Sequence, residues 1–198
     1  KLIMKKRVVI ITDLDNTLLN SNLERDFILY NILHPRSVDL LLFFGTVLHL
    51  LGKNLFKLFN INFPFKLFYL SYDKDKFLSS LNRWLKSPNQ SFYQFNPQIM
   101  NHFEDSSVNI VLTACPYFIA KSFLKVHLAT NNFSIIGTDL GEIFDRMIFV
   151  RKKMIGFNKR EFVKNIVLKS DYKVKGFGNI GPDSAFLELC DEFTYVRT

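Results

Sequence analysis

Short apolar runs alternate with segments of helical periodicity along most of the chain. The first run, 7–12, is an unbroken β-branched stretch, which is typical of a strand buried on both faces. The second, 108–112, ends in a Thr-Ala-Cys-Pro segment and precedes a helical pattern over 117–128. The remaining elements are predicted strands at 133–137, 172–178 and 193–196, a helix over 159–168, and a helix that Pro182 can open at its first turn. Strands that alternate with helices predict an α/β fold, a parallel sheet covered by helices on both faces.

The segment between the first two predicted strands is much longer than a single crossover requires. It covers roughly 22–96, is rich in Leu, Phe and Lys, and carries few strand signals. We interpret it as an inserted helical cap, so that 1–21 and 97–198 form the core. The stretch 138–155 has Gly141 between short β-favouring runs and predicts a β-hairpin.

The net charge of +8 favours an anionic partner such as a phosphate ester, a nucleic acid or an acidic lipid. Charge alone does not choose among these. No RNA-recognition signature, zinc-finger spacing or heptad repeat accompanies the basic residues, so nucleic acid is not the partner that we expect.

The cysteine content and the apolar runs indicate a cytoplasmic protein. Two cysteines, Cys115 and Cys190, cannot build a disulfide framework, which fits a reducing compartment. The longest uncharged apolar run, 40–52, is shorter than the roughly 20 residues that a membrane-spanning helix needs. No signal peptide is visible in the sequence.

Two aspartates, Asp13 and Asp15, stand at the end of the first predicted strand. In an extended strand they would face the same side, where two carboxylates repel unless a cation or a shared proton relieves them. Mg²⁺, which favours carboxylate and phosphate oxygens, would supply that relief. Since ligands gather at the carboxyl ends of parallel strands, the loops at Asp13, Thr113 and Asn179 are expected to form one site. The pair alone fits a pair of helix-capping turn aspartates equally well.

The order of these motifs resembles that of the haloacid dehalogenase superfamily. The segment 13–18, Asp-Leu-Asp-Asn-Thr-Leu, is similar to the first motif of that family. Thr113 follows the second strand, Lys159 opens a helix, and 178–184 follows the fourth strand. The resemblance covers the whole core and is greatest to the phosphoserine-phosphatase-like branch, whose helical cap is inserted between the first two motifs. It implies a Rossmann-like core and a phosphohydrolase activity.

The resemblance also implies a role for each residue. Asp13 would be the nucleophile that is phosphorylated, and Asp15 the general acid and base. Thr113 would bind a phosphate oxygen, and Lys159 would offer its charge to the phosphoryl group and to Asp13. The implied cofactor is Mg²⁺, with Asp13, Asp15, Asn179 and Asp183 as its ligand residues.

The sequence departs from the family pattern at Asn179, where the family usually has an aspartate that binds the metal directly. Asn keeps an oxygen ligand but removes a negative charge, so the affinity for a divalent ion should fall. Asp183 matches the second acidic position of the family pattern and could contribute to the coordination of the metal in place of residue 179. A working natural variant, a degenerate enzyme and a deliberate substitution all remain open explanations.

The predicted cap bears on substrate and partners. Phosphoserine phosphatases carry an acidic residue nine positions after the nucleophile, where this chain has Asn22. The expected substrate is therefore a small phosphorylated metabolite or a phosphoprotein, in particular one with phosphotyrosine. Lys53, Lys57 and Lys66 stand among Leu and Phe residues, either as stems over the cap's own apolar surface or as a patch that contacts a membrane or a protein. The alternative function is a catalytically weakened binding module that docks to an acidic partner or to a membrane through this basic cap.

Overall fold

The structure is a computed structural model that describes residues 7–34, 47, 51, 74–104, 108–128, 133–143, 146–169 and 172–196. Its strands are β1 (Val8–Thr12), β2 (Val108–Pro116), β3 (Phe133–Ile143), β4 (Arg146–Lys152), β5 (Lys173–Gly178) and β6 (Glu192–Tyr195). Its α-helices are α1 (Leu23–Leu33), α2 (Lys74–Leu85), α3 (Pro97–Glu104), α4 (Tyr117–His127), α5 (Gly156–Lys169) and α6 (Ser184–Leu187), with a 3₁₀ helix at Pro88–Phe92. Lys53, Lys57 and Lys66 of the predicted basic patch lie outside the described residues.

The described strands form one sheet in the order β4-β3-β2-β1-β5-β6. Every neighbouring pair is parallel except β3 and β4, which form the predicted hairpin. β1 lies between β2 and β5, with Thr12 opposite Val111 on one side and Phe177 on the other. The carboxyl ends of these three strands therefore meet at one edge of the sheet, which is where the motif residues were expected to gather.

Several element boundaries differ from the predicted ones. β2 continues to Pro116, so Thr113 lies inside the strand and not in a loop after it, although the register with β3 is irregular between Leu112 and Pro116. β3 likewise continues beyond Gly137, because its second half pairs with β4. α5 begins at Gly156, which places Lys159 in the first turn. These elements are longer than the apolar runs because backbone pairing and helical bonding extend past the last apolar residue.

β1 is buried on both faces, as its unbroken apolar sequence predicts. Val9, Ile10 and Ile11 are all almost fully covered, although successive side chains point to opposite sides of the sheet. On one side, Val9 and Ile11 belong to a core that also contains Val163 of α5 and Phe186 of α6. This packing fixes the end of β1 and thereby the position of Asp13.

The chain divides into two compact units. The first contains 1–23, 91–138 and 153–198, and the second contains 24–90 and 139–152. In the second unit the Phe27 ring lies edge-on to Phe77 and Trp84, at centroid distances of 5.6 and 5.5 Å. None of the helices among the described residues is long and apolar enough to cross a membrane.

Candidate active site

Asp13 directly follows β1 and is held there by its backbone. Its N–H donates to the carbonyl of Phe177 at 3.0 Å, which extends the pairing between β1 and β5 by one residue. Its carbonyl accepts the hydroxyl of Thr12 at 2.8 Å. The residue is only 6% exposed, so its carboxylate requires partners within the protein.

Lys159 is the main partner of the Asp13 carboxylate. Its Nζ lies 2.6 Å from Oδ1 of Asp13 and 2.6 Å from Oδ1 of Asp183. All three side chains are buried, at 3%, 6% and 1% residue exposure respectively. The structure thus brings together three residues that are far apart in sequence, in a cluster where one positive charge faces two carboxylates.

Burial and the neighbouring charges set the pKa values of this cluster. Burial raises the pKa of Asp13 to about 6, an effect that Lys159 opposes and Asp183 reinforces. Burial also lowers the pKa of Lys159, but the carboxylates of Asp13 and Asp183 together raise it above its ordinary value. Lys159 is therefore a permanent cation at neutral pH. An ammonium has three donors, and two of them point at carboxylates, which leaves one for a substrate oxygen.

Asp183 is fully engaged by protein partners. While Oδ1 accepts from Lys159, Oδ2 accepts the backbone N–H of Asn179 at 2.9 Å. Gly178 permits this arrangement, because a Cβ at that position would come within 2.7 Å of the Cβ of Asp183. In the structure Asp183 thus orients Lys159 and the Asn179 loop, and its role as a metal ligand remains a prediction.

The side chain of Asn179 approaches the first motif. Its Nδ2 donates to the backbone carbonyl of Asp15 at 3.2 Å, whereas its Oδ1 is buried without a hydrogen-bond partner among the described residues. A buried acceptor without a partner is costly, and a cation would satisfy it. The oxygens of Asp13, of the Asp15 carbonyl and of Asn179 match the preference of Mg²⁺. These residues therefore fit the ion.

This donor set carries less negative charge than a carboxylate cluster would. No group of three or more His, Cys, Asp or Glu side chains within the described ranges is arranged to hold a metal. The set relies instead on one carboxamide and one backbone carbonyl beside the carboxylate of Asp13. We therefore expect weak binding of a divalent ion.

Asp15 faces the start of the first helix. Its Oδ1 accepts the backbone N–H of Leu23, the first residue of α1, at 2.9 Å. Asn16, the next residue, has a φ of 57°, in the left-handed region where Asn is one of the tolerated residues. The turn at Asn16 and the bond to Leu23 define the orientation of the Asp15 carboxylate, which is partly exposed and accessible to solvent.

Thr113 is fully buried, and a backbone group orients its hydroxyl. Oγ1 accepts the N–H of Cys115 at 3.0 Å, so the hydroxyl hydrogen is left to donate. Donation to a phosphoryl oxygen is the role that the resemblance implies. The irregular register of β2 at this point accompanies the bond from Cys115, since a regular ladder would direct that N–H to a neighbouring strand.

Two further threonines contribute, although the sequence analysis did not select them. The hydroxyl of Thr17 lies 3.4 Å from Oδ2 of Asp13, as a long hydrogen bond from within the first motif. Thr138, on β3, donates its hydroxyl to the carbonyl of Ala114 at 2.7 Å and accepts the N–H of Met154 at 3.2 Å. It thereby ties the end of β2 to the segment before α5. The position of Thr17 inside the motif was the available signal, whereas the role of Thr138 depends on long-range contacts.

The chain is similar to known proteins in structure only. No model of a protein family and no curated protein sequence matches it. A Bordetella pertussis protein of unknown function matches with a TM-score of 0.68 and 12% identity, over 96% of this chain and 90% of that one. A phosphoserine phosphatase solved as an analogue of its phospho-aspartyl intermediate matches with a TM-score of 0.54 and 15% identity, over 96% and 87%.

A third solved structure shares the fold. A HAD family hydrolase from Salmonella enterica serovar Typhi matches with a TM-score of 0.54 and 12% identity, over 92% of this chain and 60% of that one. At such identities the likeness concerns the fold. The chain has the fold of haloacid dehalogenase hydrolases and of phosphoserine phosphatase, and the predicted fold class is confirmed.

Proposed function

We propose that the chain is a magnesium-dependent phosphomonoester hydrolase in which Asp13 carries the phosphoryl group between two displacement steps. The observation that carries the proposal is the buried cluster in which Lys159 contacts Asp13 and Asp183, at the edge of the sheet where ligands bind in this class of fold. A carboxylate held beside a fixed cation in a buried site is suited to attack a phosphate dianion, because the cation offsets the repulsion.

In the first step, Oδ2 of Asp13 attacks phosphorus. This oxygen is the less constrained of the two, since Oδ1 is bound at 2.6 Å by Lys159 and Oδ2 has only the long contact with Thr17. The bond between phosphorus and the leaving oxygen breaks, and that oxygen takes a proton from Asp15. The products are an aspartyl phosphate at residue 13, a free alcohol and an ionised Asp15.

In the second step, the carboxylate of Asp15 takes a proton from water while the water oxygen attacks phosphorus. The bond between phosphorus and Asp13 breaks, which releases inorganic phosphate and restores both carboxyl groups to their starting states. Asp15 thus acts as acid and then as base, and its partial exposure gives water access to it.

Two residues would stabilise the phosphoryl oxygens during both steps. Lys159 offers the donor that its carboxylate partners leave, and Thr113 offers its oriented hydroxyl. A bound Mg²⁺ ion, held by Asp13, the Asp15 carbonyl and Asn179, would add charge neutralisation at the same oxygens. Phosphoryl transfer depends mainly on such positioning and charge, so each donor contributes in the transition state.

A second function, that of a catalytically weakened binding module, is favoured by one observation. Asn179 stands where the family pattern has an acidic metal ligand, and its amide donates to the Asp15 carbonyl. A module of this kind would bind phosphorylated ligands at the same cluster without turning them over. Asn179→Asp separates the two functions, because it should raise the turnover of an enzyme and leave a binding module at background.

The proposal is tested with a chromogenic aryl phosphate. We expect hydrolysis by the wild-type protein that a chelator suppresses and Mg²⁺ restores, and a loss of roughly 10³-fold or more in Asp13→Asn. Asn165→Ala, which removes an exposed carboxamide on α5, is the matched control and should retain the wild-type rate. Equal rates of hydrolysis by wild type and Asp13→Asn, or a wild-type rate that the chelator does not change, would overturn the mechanism.

A further inference from the structure

A solvent-open cleft of about 600 Å³ lies against the loop that follows Asp15. One wall comes from residues 16–20 of that loop, and the other from residues 94–98, which lead into α3. Both walls belong to the first compact unit. The residues that line the cleft share an unusual chemistry, since half of them are carboxamides, namely Asn16, Asn20, Gln94, Asn96 and Gln98.

Backbone hydrogen bonds join the two walls and orient part of the lining. The backbone N–H of Asn20 donates to the carbonyl of Gln94 at 3.1 Å, and the N–H of Asn96 donates to the carbonyl of Leu18 at 2.8 Å. Oδ1 of Asn20 accepts the N–H of Gln94 at 3.1 Å, and Oδ1 of Asn96 accepts the N–H of Gln98 at 3.0 Å. With both oxygens engaged, each amide has its NH₂ group left to donate.

Thr17 connects the cleft to the nucleophile. It lines the cleft, and its hydroxyl lies 3.4 Å from Oδ2 of Asp13, the oxygen to which the attack is assigned. A group that occupies the cleft would therefore contact Thr17, the residue whose hydroxyl lies beside the oxygen that would attack the phosphoryl group. The cleft is thus placed to hold the leaving group of a substrate whose phosphate is bound by Lys159 and Thr113.

The described lining contains no charged side chain, although the whole protein has a net charge of +8. A leaving group with an ammonium and a carboxylate, such as that of phosphoserine, would find no ionic partner among the described residues that line the cleft. A neutral group with several hydroxyl or amide functions would find both donors and acceptors. Such mismatches of charge are a main source of specificity.

We propose that this cleft is the leaving-group subsite, and that it selects phosphate esters of uncharged, polyhydroxylated alcohols. The inference rests on the proposed function, since it assigns the leaving group of the same reaction. Gln94 and Gln98 would act as specificity-determining residues, because both are exposed in the cleft and neither side chain makes a hydrogen bond within the described part of the chain.

The kinetic test compares esters across variants. The substrates are a hexose phosphate, a nucleoside 5′-monophosphate, phosphoserine, a phosphotyrosine peptide and the aryl phosphate. We expect the wild-type kcat/KM for either the hexose phosphate or the nucleoside monophosphate, whose alcohols are uncharged, to exceed those for phosphoserine and for the peptide. In Gln94→Ala and Gln98→Ala, the kcat/KM for this preferred ester, divided by the kcat/KM for the aryl phosphate, should fall roughly two- to tenfold, as expected for one lost hydrogen bond.

Asn165→Ala serves as the control and should leave that ratio unchanged. A preference for phosphoserine or for the peptide would overturn the assignment, and so would a ratio that is the same in all four proteins. The preferred ester shows whether the polyhydroxylated alcohol is a sugar or a nucleoside.

Direct binding separates this inference from the proposed function. If no ester is hydrolysed, the proposed function fails, and calorimetry with the free hexose and the free nucleoside then tests the cleft alone. Binding to wild type and Asn165→Ala that weakens at least twofold in Gln94→Ala supports the subsite. Failure of both alcohols to bind to the wild-type protein, or equal binding by all three proteins, overturns it.

Discussion

At the scale of single residues, the ammonium of Lys159 determines whether the site can exist in the folded protein. Two buried carboxylates without a cation would repel each other and lack solvation. The bonds of 2.6 Å to Asp13 and Asp183 relieve both problems, and the ring of Phe186 lies 5.6 Å from the same nitrogen. The residue therefore contributes to folding as well as to the proposed chemistry.

Replacing Lys159 should reveal this structural role. We expect Lys159→Met to lower the free energy of unfolding by roughly 3–5 kcal/mol at neutral pH, because it leaves two carboxylates buried without their cation. Lys164→Met, at an exposed position on the same helix, is the control and should change stability by less than about 0.5 kcal/mol. Urea denaturation measures both. Equal stabilities for the two variants would contradict the charge balance described above.

Asn179 gives the second prediction at this scale. Asn179→Asp should bind a divalent ion roughly tenfold more tightly than wild type, because a second carboxylate joins that of Asp13 in the ligand set. In the presence of a chelator the same variant should be less stable than wild type, since the new charge lies near Asp183 and the Asp15 carbonyl. Calorimetric titration with Mn²⁺ and thermal unfolding measure the two effects.

Asn165→Asp adds the same charge on the exposed surface of α5 and is the matched control. It should change neither the affinity for the ion nor the stability in chelator. A wild-type affinity equal to that of Asn179→Asp would show that the metal site has been placed wrongly.

At the scale of elements, the site depends on the close approach of a strand end to the following turn. β5 ends at Gly178, and the chain then turns so that Asp183 lies directly above that glycine. Asp183 also accepts the N–H groups of Phe186 and Leu187 at its carbonyl, both at 3.1 Å. The turn is therefore anchored at the glycine and at α6 together.

Gly178→Ala should disturb this approach. The added Cβ would lie 2.7 Å from the Cβ of Asp183, and we expect a loss of roughly 1–3 kcal/mol in stability together with a large fall in kcat, as Asp183 moves away from Lys159. Gly176→Ala is a control on the same strand, because its Cβ would crowd Leu187 and Cys190 instead. It should lose stability but retain turnover. Loss of kcat in both variants would contradict a specific role for Gly178.

The sequence predicted the elements of the core better than their ends. An unbroken β-branched run such as 7–12 has few alternatives to a buried strand, and β1 lies there. The continuation of β2 through Thr113 was not predictable, because Thr-Ala-Cys-Pro lacks strand periodicity and is held by pairing with β3. The carboxamide cleft was equally hidden, since residues 16–20 and 94–98 are brought together only by backbone bonds between distant segments.

At the scale of the whole molecule, topology explains how residues from distant parts of the sequence form one cluster. β1 lies between β2 and β5, so that Asp13 and Asn179 follow the ends of neighbouring strands, and Thr113 lies in the last part of the third strand, β2. The order of the motifs along the chain indicated this convergence. The specific partners, such as Lys159 contacting Asp183 as well as Asp13, required the three-dimensional arrangement.

The central claim is that Asp13 receives the phosphoryl group, and acid-quenched mass spectrometry tests it most directly. The wild-type protein is mixed with aryl phosphate and Mg²⁺, quenched within the first turnover, digested and mapped. We predict a phosphoryl group on the peptide that contains Asp13, which disappears when the reaction is chased before the quench and never forms in Asp13→Asn. A phosphoryl group on another residue, or hydrolysis that continues in Asp13→Asn, would contradict the account.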